Sequence, residues 1–191
     1  MKLYLITHAH TDATPEVDAR SWSLSAEGER QAALLAAQPF WGAVDRIYLS
    51  SEPKTRLTVE PVLRQRALPV TVDARLDELR RPGWVEDYRA RVAQAFAAPE
   101  QPAGDWEPAS VALARILAAV ADLCAQHPNA ASVLVGHGLT LSLYRAHLLG
   151  QRQVSVDEWR RLSFAAVAIA DPVAGVWIED FVGVAGQAGR G

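Results

Sequence analysis

Four clusters of side chains in this sequence could do chemistry near neutral pH, and each follows a run that reads as an element of structure. The first is Thr7-His8-Ala9-His10-Thr11-Asp12, directly after the apolar stretch Leu3 to Ile6. The second is Ser50-Ser51 with Lys54 and Arg56 just beyond it, the third is Asp77-Glu78, and the fourth is His137-Gly138. Brought together, they would furnish one pocket with two imidazoles, a carboxyl and a cation. An imidazole and a carboxyl are the commonest acid, base and nucleophile partners, and the cation would favour an anionic ligand. That set can handle a phosphate.

The elements that must position these clusters alternate. Leu3 to Ile6 is predicted as a buried strand, Ala13 to Trp22 as a loop, and a helix is expected from an N-cap at Ser25 until Pro39. Arg46 to Ser51 reads as a strand, and Glu52 to Arg66 as a helix that Pro61 should end or kink. Val70 to Leu76 alternates cleanly and is expected to be a strand delivering Asp77 and Glu78. Helical patterns follow over Val85 to Phe96, Ala109 to Gln126, Leu139 to Leu149 and Val154 to Leu162, with a strand expected over Ser132 to Val135. Phe164 to Ala170 and Val176 to Phe181 read as a hairpin around Asp171-Pro172. The expectation is a three-layer α/β/α sandwich on a mostly parallel sheet, in which ligands bind beyond the carboxyl ends of the strands. Residues 1–182 form one domain in this reading, about 80–108 is a small helical lid insertion, and 183–191 is a flexible tail.

Composition narrows the partner. A net charge of −3 provides no general basic field for nucleic acid or an anionic membrane, so a small anionic molecule is the expected partner. The single cysteine, Cys124, lies in an Ala/Leu-rich helical pattern and reads as packing, in keeping with a reducing, cytoplasmic setting. No signal peptide is read at the N-terminus, because the short apolar run meets titratable residues at once. Oligomeric state is not legible.

Taken in order, the motifs resemble those of the histidine phosphatase superfamily, the phosphoglycerate-mutase-like fold. LITHAHT from Leu5 is similar to its strand followed by R-H-G-x-T, and LSAEGERQA from Leu24 to its L-S-x-x-G-x-x-Q-A. LSSEPKTRLTVEP from Leu49 is similar to S-S-x-x-x-R-A-x-x-T-A, LDE from Leu76 to L-x-E, and VGHG from Val135 to V-x-H-G. The resemblance implies a phosphomonoester hydrolase without metal or other cofactor. In it His8 attacks phosphorus, His137 stabilises the transferring group, Glu78 protonates the leaving oxygen and Lys54 assists. It further implies Thr7, Thr14, Arg56 and Gly138 as substrate-binding positions, and His10, beside the nucleophile position, would either line the pocket as a further binding residue or face solvent. Three positions depart from the family pattern: its first arginine is Thr7, the following glycine is Ala9, and its second arginine aligns with Lys54 unless Arg56 takes that role. Lysine offers a point charge where arginine offers a bidentate fork.

Two alternatives stand beside the hydrolase. One is a degenerate member that binds a phosphorylated or anionic ligand without turning it over. The other is metal-dependent hydrolysis, since His8-x-His10-x-Asp12 resembles the H-x-H-x-D core of metallo-β-lactamase-like enzymes and these ligand types suit zinc. Ala13 stands where that motif carries its next histidine. Trp84 and Trp106 flank the expected lid, where they would either pack or meet an apolar leaving group.

Overall fold

The opening apolar run becomes one of the two central strands of the sheet. In the computed structural model, which describes residues 1–184, β1 (Leu3–Thr7) is buried at every residue. It lies between β4 (Ser132–Gly136), parallel to it, and β5 (Ala166–Asp171), antiparallel. With β2 (Arg46–Leu49), β3 (Val70–Val72) and β6 (Val176–Gly183) they form one sheet in the order β3-β2-β4-β1-β5-β6. The pairs β3-β2, β2-β4 and β4-β1 are parallel, and the hairpin β5-β6 adds the antiparallel edge.

Alternation along β1 divides the core. Tyr4 and Ile6 face helices α1 (Ala26–Ala36) and α2 (Pro53–Gln65), packing with Leu35, Val59 and Val62. Leu3 and Leu5 face α4 (Ala109–Gln126) and α5 (Gly138–Leu148), packing with Ile116, Val120, Leu123 and Tyr144. The result is the expected three-layer sandwich on a mostly parallel sheet. By length and composition α4 could cross a membrane, with a mean hydropathy of 1.5, but its apolar stripe is built into this core. Between β3 and α4, helix α3 (Tyr88–Ala97) and the following loop bury Val92, Phe96 and Trp106 against Leu139 and Leu143 of α5. Trp106 is core, whereas Trp84 is exposed. A last short helix, α6 (Val156–Arg161), precedes the hairpin.

Several boundaries differ from the sequence reading. Helix α2 runs through Pro61 without ending, because the fully buried Val59 and Val62 fix it to the sheet on both sides of the proline. Strand β3 stops at Val72, which the alternation turns out to solvent on the sheet edge. The chain then bends through a 3-10 turn, Ala74–Leu76, capped by the Asp73 carboxylate, so Asp77 and Glu78 are delivered by a turn and not by a strand. Arg115 secures that turn, donating to the carbonyls of Arg75 and Asp77. The tail begins later than expected: Gly183 pairs with Ala166 and Val184 is buried. The remainder of the predicted tail, 185–191, lies outside the described residues.

The motif around Ser25 has a mechanical purpose. Ser25 caps α1 by accepting from the Gly28 N–H, and its own N–H donates to the His10 carbonyl at 3.1 Å. The Gln31 side chain accepts from the His10 N–H at 2.9 Å. At Gly28 a Cβ would stand 2.0 Å from the His10 carbonyl oxygen, a backbone atom with no freedom to yield. Helix α1 is thereby seated on the loop that follows β1. Gly28→Ala is expected to push that loop away and lower Tm by roughly 3–10 °C, the range for overpacking in a chain of this size. A thermal melt superimposable on that of the wild type would show that the close approach is unimportant.

Candidate active site

Register brings the two histidines together. In the β1-β4 pair Thr7 lies opposite Gly136, so the next residue on each strand is a histidine, and the two rings sit 5.2 Å apart between centroids. The His8 N–H donates to the Gly136 carbonyl at 3.0 Å, continuing the ladder one residue past the strand. The His8 Nδ1 lies 2.8 Å from the Ala9 carbonyl oxygen, which can only accept, so Nδ1 carries the proton and Nε2 keeps its lone pair. Burial first, then the neighbouring His137, pushes the His8 pKa down to about 3, so the ring is neutral throughout the physiological range.

His137 is fully buried at the mouth of α5. Its Nε2 is 2.7 Å from the Ser50 hydroxyl and 3.6 Å from a Glu52 carboxylate oxygen, while Nδ1 has no partner in the protein. Burial, reinforced by Lys54 and Arg81, holds its pKa well below the ordinary value. Ser50 accepts from the Glu52 N–H, which leaves its hydroxyl proton free to point at His137.

Glu52 joins the rest. One of its oxygens accepts from the Lys54 ammonium at 2.6 Å, and the other accepts from the Glu78 N–H at 2.9 Å. Lys54 also donates to the Ala19 carbonyl, and both charged side chains are almost completely buried. The Glu78 carboxylate accepts from the N–H groups of Leu139 and Thr140, each at 3.0 Å, so it caps the first turn of α5. Burial raises its pKa in spite of those bonds.

A cavity of about 380 Å³ opens over these groups, with Thr7, His8, His10, Glu78, Arg81 and Gly138 in its wall. Trp22, Tyr88, Trp159 and Phe164 supply an aromatic rim. Of the expected site residues, His8, Glu78, Thr7, His10 and Gly138 therefore meet at one cavity, with His137 in ring contact with His8. Thr7 holds the sheet together there: its hydroxyl donates to the Ser163 carbonyl at 2.8 Å and accepts from the Ala166 N–H at 2.9 Å. His10 turns its Nδ1 to the Ser25 hydroxyl. Three of the expected residues stand outside that wall. Lys54 is not part of the cavity wall, being held by Glu52; Arg56 lies on the exposed face of α2, paired with Glu60 at 3.2 Å; and Thr14 does not line the cavity, where Ala13 does. Among the described residues no three His, Cys, Asp or Glu side chains are grouped as metal ligands, and Asp12 is exposed.

Sequence reasoning missed Ser50 as the partner of His137, Glu52 as the hub, and the aromatic rim. The signal for Glu52 was an acid immediately before Pro53 at a helix start, a place where it would more often be a solvated cap. The rim is assembled from segments far apart in sequence, the loop at Trp22, the start of α3 at Tyr88, α6 at Trp159 and the loop at Phe164, and carries no local signal.

Comparison with known proteins agrees with this geometry. A family model described as "Histidine phosphatase superfamily (branch 1)" matches residues 3–178. Among solved structures, YhfR of Bacillus stearothermophilus superposes with a TM-score of 0.76 at 23% identity, covering 95% of this chain and 96% of its own. The mycobacterial glucosyl-3-phosphoglycerate phosphatase superposes with a TM-score of 0.74 at 22% identity, covering 95% and 98%. The phosphoserine phosphatase of Entamoeba histolytica in complex with 3-phosphoglyceric acid superposes with a TM-score of 0.70 at 18% identity, covering 94% and 95%. No curated protein matches the sequence. With the family model spanning nearly the whole chain and the paired histidines at its strand ends, this chain belongs to the histidine phosphatase superfamily, branch 1.

Proposed function

We propose that the protein is a phosphomonoester hydrolase that works through a phosphohistidine on His8. The observation that carries this reading is a neutral His8 whose Nδ1 proton is fixed on the Ala9 carbonyl, leaving an unprotonated Nε2 in a cavity shared with an acid of raised pKa. The structural neighbours named as phosphatases of small phosphate esters support it.

In this mechanism the Nε2 lone pair forms the bond to phosphorus, and the bond from phosphorus to the ester oxygen breaks. The leaving oxygen takes the Glu78 proton. In the second step Glu78 accepts a proton from water, the water oxygen bonds to phosphorus, and the N–P bond breaks to release inorganic phosphate and neutral His8. With the Ser50 hydroxyl donating to Nε2, His137 carries its proton on Nδ1, the position without a protein partner, and that N–H is free to meet a phosphoryl oxygen.

A second reading, ligand binding without turnover, has its own observation. Thr7 brings no charge to the cavity, and the Lys54 charge is neutralised by Glu52, so the site is poorer in cations than a dianionic transition state favours.

Hydrolysis of an aryl phosphate by wild type and His8→Ala, with and without chelator, separates the readings. The hydrolase predicts activity that the variant loses and chelator leaves untouched. Chelator-sensitive activity would replace it with metal chemistry at His8, His10 and Asp12. Phosphate binding with no turnover at any pH would establish the second reading.

The pKa directions predict the shape of the pH profile. His8 titrates near 3, so its loss as a nucleophile lies below pH 4. Glu78 must be protonated to act, and it ionises as pH rises through a value above the ordinary 4.5, so kcat/KM falls on the basic side. Glu78→Gln is expected to lower kcat/KM roughly 10²- to 10⁴-fold and to flatten that basic limb. The substrate's own ionisation is common to both proteins. A variant profile parallel to that of the wild type would remove Glu78 from the acid role.

A further inference from the structure

A dianionic ligand in this cavity needs a cation that is not already neutralised. Lys54 is locked to Glu52 at 2.6 Å and is absent from the cavity wall. Arg20 reaches Asp77 at 3.2 Å, and Arg56 is paired with Glu60. Arg160 does reach the wall, but its side chain is 46% exposed and lies 3.6 Å from Asp157. Arg81 differs from all of these. It is half-buried, shares the cavity with His8 and Glu78, and has no carboxylate within 4.0 Å among the described residues. Its Nε is buried without a hydrogen-bond partner.

What holds Arg81 is aromatic. Its guanidinium carbon lies 4.8 Å from the centroid of the Tyr88 ring and 5.5 Å from that of Trp22. A ring face attracts a guanidinium through its quadrupole without accepting the in-plane N–H bonds. Orientation is thus provided while the donor fork remains free for two oxygens of a bound anion. A carboxylate partner would have oriented the group equally well and cancelled its charge.

We propose that Arg81, held against Trp22 and Tyr88 beside His8, is the guanidinium that binds the phosphoryl oxygens of the substrate and of inorganic phosphate in this chain. The assignment rests on the reading of the cavity as a phosphoryl-transfer site, and it places the anion clamp on the segment leading into α3 and not on the sheet.

The test measures inorganic phosphate, both as a competitive inhibitor of aryl phosphate hydrolysis and by direct titration, against wild type, Arg81→Gln and Arg81→Lys, each first checked by thermal melt. Loss of charge-assisted hydrogen bonds to an anion is expected to weaken phosphate binding roughly ten- to a hundredfold in Arg81→Gln, with a comparable fall in kcat/KM. Arg81→Lys should recover part of the binding, since it restores charge without the fork. If Arg81→Gln does not fold, the lysine variant decides, because loss of the fork alone should still weaken phosphate measurably. Phosphate binding unchanged by either variant, or absent from the wild type, overturns the assignment. A wild type that binds phosphate through Arg81 but hydrolyses nothing would refute the hydrolase and leave the clamp standing. Hydrolysis that is indifferent to Arg81 would do the reverse.

Discussion

The parallel pairing of β1 with β4 is the constraint on which the rest of the molecule depends. Five consecutive residue pairs, Leu3 with Ser132 through Thr7 with Gly136, set two strands side by side so that both end at a histidine. A slip of one residue would turn every β1 side chain to the other face of the sheet, moving Tyr4 and Ile6 away from α1 and α2. The apolar alternation that builds the core is therefore the same device that fixes the distance between the two rings. The site inherits its accuracy from packing.

Around that pair the protein invests in buried polar contacts more than in surface charge. Glu52 links the Lys54 ammonium, the Glu78 backbone and the neighbourhood of His137 in a space almost without solvent. Removing one member of a buried ion pair typically costs about 3–5 kcal/mol, because its partner is left uncompensated. The lysine is thus best understood as the counter-charge that allows Glu52 to exist where it does. Glu52 in turn fixes the turn that carries Glu78.

Much of the fold was legible because strands and helices announce themselves by periodicity, and β1, β2, β4, α1, α4 and α5 lie within a residue or two of where the pattern placed them. Errors arose where tertiary contacts override local preference. Pro61 is carried inside a helix by the burial of Val59 and Val62, and β3 is cut short because its alternation ends in solvent at Val72. At the site, His8, His137 and Glu78 could be named because each follows an element directly. Lys54 and Arg56 could not be judged from sequence, since a helix start shows only that both are near the pocket. Which of them meets a carboxylate first, Glu52 or Glu60, is a matter of side-chain placement. The same blindness hid Arg81, whose partners lie far apart in sequence, Trp22 in the loop before α1 and Tyr88 at the start of α3.

The capping of α5 by Glu78 has one more consequence. The carboxylate that takes the N–H groups of Leu139 and Thr140 would also be the group that exchanges a proton in the proposed mechanism. Ionised, it complements the positive end of the helix; protonated, it accepts more weakly and complements it less. Leu139 lies in the apolar cluster that contains Phe96 and Trp106. In that mechanism each proton delivered to a leaving group would tighten one helix end, so that the chemical cycle and the mechanical anchoring of the α3 segment would share a single carboxyl group.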